Sequence, residues 1–220
     1  MRVIEAGYKI LTPISKGGIE ELKHIERIGR VCYKSEDKIT FDGESAKKFV
    51  AGLIKRGHEA MLEHGSLSVM FTVDRGVTHE LVRHRLASFA QESQRYCNYS
   101  NEKFGNEITF VRPCYWDKGT VEYDMWLRAI SEAEKSYFLL LNEGASPQEA
   151  RAVLPNSVKA DITITANWRE WRHILNLRAV GTTGMPHPSM YMVMNPLLDE
   201  LSKKIPVLFD DIKERRDNGA

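Results

Sequence analysis

The chain has 220 residues, 42% hydrophobic and 28% charged, and 31 Lys and Arg balance 30 Asp and Glu to a net charge of +1. At this length roughly 70–75% of the unfolded surface can be buried, so one well-formed core is feasible. The balanced charge excludes a whole-molecule field for holding nucleic acid, so any anion site has to come from local clustering. The opening MRVIEAGYKILTP lacks the apolar run of a signal peptide, and no stretch reaches the length of a membrane span. The cysteines Cys32, Cys97 and Cys114 make neither a CxxC pair nor an even framework. A cytoplasmic protein with no membrane and no nucleic-acid partner is expected. No repeat or linker divides the sequence, so residues 1–220 read as a single domain.

In chain order, a strand is predicted over Val3–Leu11. Ile19, Leu22, Ile25, Ile28 and Val31 then recur every three residues, as in a helix. Phe49, Val50, Leu53 and Ile54 mark a second helix, ended by Gly57. Leu67, Val69, Phe71 and Val73 alternate with Ser66, Ser68, Met70 and Thr72, the period of a half-buried strand. A helix from about Gly76 leads into the polar stretch RHRLASFAQESQRY, Arg83–Tyr96. A short strand around Ile108–Val111 and a long helix over Thr120–Leu141 follow. Ser146, Pro147 and Glu149 form a capping-box start for a short helix that carries Arg151 and stops at Pro155. Ile162, Ile164 and Ala166 alternate with Asp161, Thr163 and Thr165 in a further strand. Asn167 caps a helix running through Leu177, with Glu170 at the box position. Another helix and IPVLFDDI close the chain. Strands separated by long helices without a βαβ rhythm make the fold class α+β.

Two clusters carry candidate chemistry. In RHRLASFAQESQRY, Arg83, Arg85, Ser93 and Arg95 are the residue types that clamp phosphate or carboxylate. A ligand site and a salt-bridged surface turn both account for that pattern. In the helix after Asn167, the residues Arg169, Arg172, His173 and Asn176 fall on one polar face, which reads as solvated. Arg178 instead continues the apolar row of Trp171, Ile174 and Leu175, so a buried or ligand-facing guanidinium is expected there. No metal is predicted: the fourth position after His58 is Leu62, and after His79 it is Arg83, so neither completes HExxH. There is no GxGxxG and no GxxxxGK[ST], and Gly181–Gly184 reads as a turn. A bound dinucleotide would have to be held by arginines.

RHRLASFAQES, together with RGHEAMLEH, EARAVLP and TANWREWRHILNLR in that order, resembles the flavin-dependent thymidylate synthases from about Val31 to Asp210. The resemblance implies an antiparallel sheet flanked by long helices, assembled as a homotetramer with active sites shared between chains. It implies reductive methylation of dUMP to dTMP. The carbon comes from 5,10-methylenetetrahydrofolate, and the hydride from a tightly bound FAD that NADPH reduces. Carried over by position, Glu80, Leu81, Val82, Arg83, Gln91, Glu92, Ser93, Gln94, Arg95, Arg151 and Arg178 match dUMP-binding residues. His58, Arg83, His84, Arg85, Gln91, Asn167, Trp168, Arg169 and His173 match FAD-binding residues. Arg178 matches the catalytic arginine that activates uracil. No protein nucleophile is implied, and Pro113–Cys114 is followed by Tyr115 rather than by the histidine of the thiol-dependent synthases.

The chain departs from the family pattern in the lengthened loop Ala179–Pro186, at Ser189, and at Gln91, where many relatives carry glutamate. Two other readings stand beside this one. A nucleic-acid-binding module is disfavoured by the balanced charge and the lack of a groove-reading motif. A catalytically altered relative that binds dUMP and FAD is suggested by the changed tail after His187.

Overall fold

The computed structural model describes residues 1–101 and 105–219. In chain order they form β1 (Arg2–Ile4), β2 (Gly7–Ile10), α1 (Ile19–Val31), α2 (Glu44–Lys55), β3 (Ser66–Asp74) and α3 (Arg75–Leu81). Then come β4 (Ser88–Gln91), β5 (Thr109–Val111), α4 (Val121–Asn142) and α5 (Pro147–Ala150). The chain ends with β6 (Lys159–Asn167), α6 (Trp168–Leu175), α7 (Pro188–Lys204) and α8 (Pro206–Asp217). The predicted strand Val3–Leu11 is therefore two strands. β1 pairs in parallel with β5, Val3 opposite Phe110, while β2 enters a four-stranded sheet of order β2-β3-β6-β4.

The fold is α+β with an antiparallel sheet. The central pair shows the direction directly: Ser68 Oγ lies 2.7 Å from Thr165 Oγ1, and Thr72 Oγ1 donates to Asp161 Oδ1 at 2.6 Å. The partner number falls as the strand number rises, as only antiparallel strands allow. Leu67, Val69, Phe71 and Val73 are fully buried, as are Ile162 and Ile164. Each such side chain contributes about 1.5–3 kcal/mol relative to exposure. The hydroxyls and Asp161 occupy the alternate positions.

Contacts divide the chain into two compact units. The first comprises Met1–Tyr8, Met70–Arg83 and Phe89–Thr163. Its core gathers Tyr99, Ile108, Phe110, Ile130, Tyr137, Ala150 and Val158. The side chain of Thr120 caps α4 by accepting from Tyr123 N at 3.3 Å. The Glu149 carboxylate accepts from Ser146 N at 2.8 Å and from Ser146 Oγ at 2.6 Å, the expected box, and α5 delivers Arg151.

The second unit comprises Lys9–Val69, His84–Ser88 and Ile164–Ala220. Here α1 packs on α2, α7 on α8, and both α2 and α6 on α8. Gly57, at φ +71°, ends α2: its N–H donates to the Ile54 carbonyl at 3.0 Å, and His58 N–H donates to that of Leu53 at 2.9 Å. This pair of bonds is a Schellman closure, and it leaves His58 exposed at the start of the 3₁₀ turn Glu59–His64. Asn167 Oδ1 caps α6, accepting from Glu170 N at 2.8 Å. The helix stops at Leu175 rather than Leu177, because Asn176–Val180 wind as a π turn that Gly181 ends at φ +83°. No helix among the described residues is long and apolar enough to cross a membrane.

Candidate functional site

In the first unit, Asp74 caps α3 by accepting from Val77 N at 2.8 Å, so that Glu80, Leu81, Val82 and Arg83 fall at the end of this helix. Leu81 is fully buried, which leaves only its main chain for a ligand; Arg83 is exposed. Sequence periodicity missed β4, which carries Gln91. The Gln91 amide donates through Nε2 to Thr78 Oγ1 at 2.9 Å. After β4 the chain turns: Ser93 Oγ accepts from Arg95 N at 3.3 Å, and the Cys97 N–H donates to the Ser93 carbonyl at 3.0 Å. Gln94 points inward, and its buried Nε2 has no hydrogen-bond partner among the described residues. Arg95 is exposed with its guanidinium 5.5 Å from the Tyr96 ring centroid, and Arg151 is half-buried. Glu92 is ion-paired to Lys159 at 2.7 Å.

In the second unit, the RHR turn buries His84 and exposes Arg85. Neither Arg83 nor Arg85 forms an ion pair among the described residues, whereas Glu92 of the same polar stretch does. Trp168 is buried, its N–H donating to the Gly65 carbonyl at 3.2 Å. Arg169 is paired through Nη1 with Glu63 Oε1 at 2.6 Å.

The polar face of α6 is not wholly solvated. Arg172 is 4% exposed and grips Asp211 bidentately, Nη1 to Oδ1 and Nη2 to Oδ2, both at 2.7 Å. Its Nη1 also donates to the Leu208 carbonyl, and its Nε lies 3.3 Å from Glu59 Oε1. Burial acts to raise the pKa of Asp211, but hydrogen bonds and charge from Arg172 outweigh it and hold the carboxyl below its ordinary value. Arg172 is therefore a structural anchor, whereas His173 is exposed as expected.

Arg178 lies on the π turn, half-buried, and its Nε donates to His84 Nε2 at 3.2 Å. An arginine Nε always carries hydrogen, so His84 Nε2 must present a lone pair and the ring proton must sit on Nδ1. Nδ1 lies 3.8 Å from Glu170 Oε1, and the His173 ring meets His84 edge-on at 6.2 Å. Burial, then the charges of Arg178 and His173, push the His84 pKa from 6.5 to about 4, so the ring is neutral at neutral pH.

The donor types suit a flavin dinucleotide. His58, Arg85 and His173 are exposed and carry nitrogen donors of the kind that would hold its phosphates, and the same unit holds Asn176 Oδ1 buried without a hydrogen-bond partner among the described residues. No three His, Cys, Asp or Glu side chains among the described residues group as metal ligands. Sequence reasoning missed Lys159 and Gly65. Lys159 was legible as the residue two before Asp161, on the same face of a strand.

Residues 19–207 match the family described as thymidylate synthase complementing protein. The flavin-dependent thymidylate synthase of Corynebacterium aurimucosum is 33% identical over 208 residues, covering 90% of this chain and 82% of that one. The enzyme of the same name from Corynebacterium efficiens is 32% identical over 199 residues, 86% of this chain and 78% of its own. Among solved structures, the UMP/dUMP methylase PolB from Streptomyces cacaoi, bound with 5-Br dUMP, superposes with a TM-score of 0.77. It is 21% identical and covers 97% of each chain, a likeness of fold. With the family pattern matched over most of its length, this chain belongs to the thymidylate synthase complementing protein family.

Proposed function

We propose that this protein is a flavin-dependent thymidylate synthase that methylates dUMP to dTMP. It takes the carbon from 5,10-methylenetetrahydrofolate, uses FAD reduced by NADPH, and works in the cytoplasm as a homotetramer of single-domain chains with shared sites. The exposed side chains of Arg83 and Arg85, with Leu86 79% exposed beside them, support a site completed by a neighbouring chain. The observation that carries the reading is the contact between Arg178 and a neutral His84, because it aims a guanidinium from an otherwise apolar helical row.

In this reading Ser93, Arg95 and Arg151 bind the nucleotide phosphate, and Gln91, Glu92 and Gln94 shape the turn that presents them. Residues Glu80–Arg83 add main-chain groups and a cation. Arg178 faces the pyrimidine, where its charge favours the ionised ring and raises the nucleophilicity of C5. No thiol attacks the ring. His58, Arg83, His84, Arg85, Gln91, Asn167, Trp168, Arg169 and His173 hold FAD, with Trp168 and Asn167 acting through the placement of α6. FAD, when bound, supplies hydride to the transferred carbon.

Purified protein should be yellow, bleach on addition of NADPH, and convert dUMP to dTMP with release of label from tritiated C5. Arg95→Ala should retain flavin and weaken dUMP binding. A colourless protein that takes up no FAD would overturn the reading.

A further inference from the structure

Lys159, the first residue of β6, has no role in the scheme above. Its Nζ lies 2.7 Å from Glu92 Oε2 and 2.7 Å from Asp161 Oδ2. The two acids are also joined through the main chain. Asp161 N–H donates to Glu92 Oε2 at 3.2 Å, and Glu92 N–H donates to the Asp161 carbonyl at 2.8 Å. Tyr99 OH reaches Glu92 Oε1 at 3.4 Å, and Thr72 Oγ1 holds Asp161 Oδ1 at 2.6 Å. The ammonium thus sits between two carboxylates on the rim of a cleft of about 310 Å³ that Arg2, Tyr99 and Glu107 also line.

The side chains of Lys159 and Glu92 are 21% and 13% exposed, so solvent screens their attraction only in part. Burial lowers the pKa of Lys159, but hydrogen bonds from the ammonium to Asp161 and Glu92 outweigh it, and the net shift is upward. Glu92 is the root of the turn that runs through Ser93 to Arg95. Removing the ammonium would leave like charges facing each other at that root, and the more readily freed partner is Glu92, which follows β4 rather than lying within a strand.

We propose that Lys159 is a positioning residue for the nucleotide: by bridging Glu92 and Asp161 and offsetting their repulsion it clamps the root of the Glu92–Arg95 turn to β6 and so fixes Ser93 and Arg95 for the phosphate. The proposal rests on the reading of that turn as the dUMP phosphate site.

The test uses flavin-loaded protein carrying Lys159→Met or Lys159→Met with Asp161→Asn, and Lys159→Gln should the methionine variant not fold. Calorimetric dUMP affinity and amide exchange over residues 92–97 are measured for each. Loss of the ammonium should weaken dUMP binding about tenfold and speed exchange of the turn. Asp161→Asn should restore both, because it removes the repelling charge. In Lys159→Met, affinity should also recover as the pH is lowered into the carboxylate range, a trend absent from the parent protein. Unchanged exchange and affinity, or no recovery in the double variant, would overturn the role of Lys159. Faster exchange that Asp161→Asn reverses, with dUMP affinity unmoved throughout, would overturn the link to the nucleotide and the placing of its phosphate on this turn.

Discussion

Arg178 Nε donates to His84 Nε2 at 3.2 Å, and this one contact fixes both the direction of the guanidinium and the tautomer of the ring. It also makes stability depend on pH. The unfolded ring takes its proton near 6.5, the folded ring only near 4. Between these values protons bind the unfolded chain preferentially. The stabilisation from a neutral His84 is therefore complete above pH 6.5, is lost as the pH falls, and levels off below about 4. Its full extent is on the order of 3 kcal/mol. Denaturation midpoints measured across this window should fall less steeply in His84→Gln than in the parent. An identical acid limb in both proteins would show that another group titrates.

What the sequence made legible was local. The caps at Ser146 and Asn167, and the stop at Gly57, depend on neighbours within a few residues, and each is where turn chemistry places it. Arg178 stood out because a guanidinium on an apolar row needs a partner. Arg172 was misread because its partner, Asp211, lies on another helix, 39 residues away. Trp168 and Trp171 before it and Ile174 and Leu175 after it, all buried, were the available signal that α6 is enclosed nearly all round. The strand β4 escaped because SFAQ is too short for a period to register, and pairing with β6 decides its state.

Gly65 lies against the indole of Trp168, and a Cβ on residue 65 would overlap Nε1 of that ring. Gly65→Ala should therefore displace Trp168 and the start of α6, costing about 1–3 kcal/mol of stability. If this edge holds the flavin, the variant should also purify with a lower flavin-to-protein absorbance ratio. Full flavin content with an unshifted melting temperature would contradict the packing argument.

The three cysteines should be dispensable for chemistry. Cys32 is exposed, and Cys97 and Cys114 are half-buried, none of them in a disulfide among the described residues. Replacing all three with alanine should leave the turnover number within about threefold of the parent, since under ~0.7 kcal/mol of barrier change is expected without a thiol nucleophile. A fall of about a thousandfold or more would point to covalent attack by cysteine instead.

The most direct test is the single-turnover rate of dTMP formation by flavin-loaded Arg178→Ala. The account predicts that the variant stays yellow and reacts about 10²–10³-fold more slowly, the scale of losing one charge contact of about 3–4 kcal/mol in the transition state. A variant that methylates dUMP at the parent rate, or that can no longer hold flavin, would contradict the role given to this guanidinium.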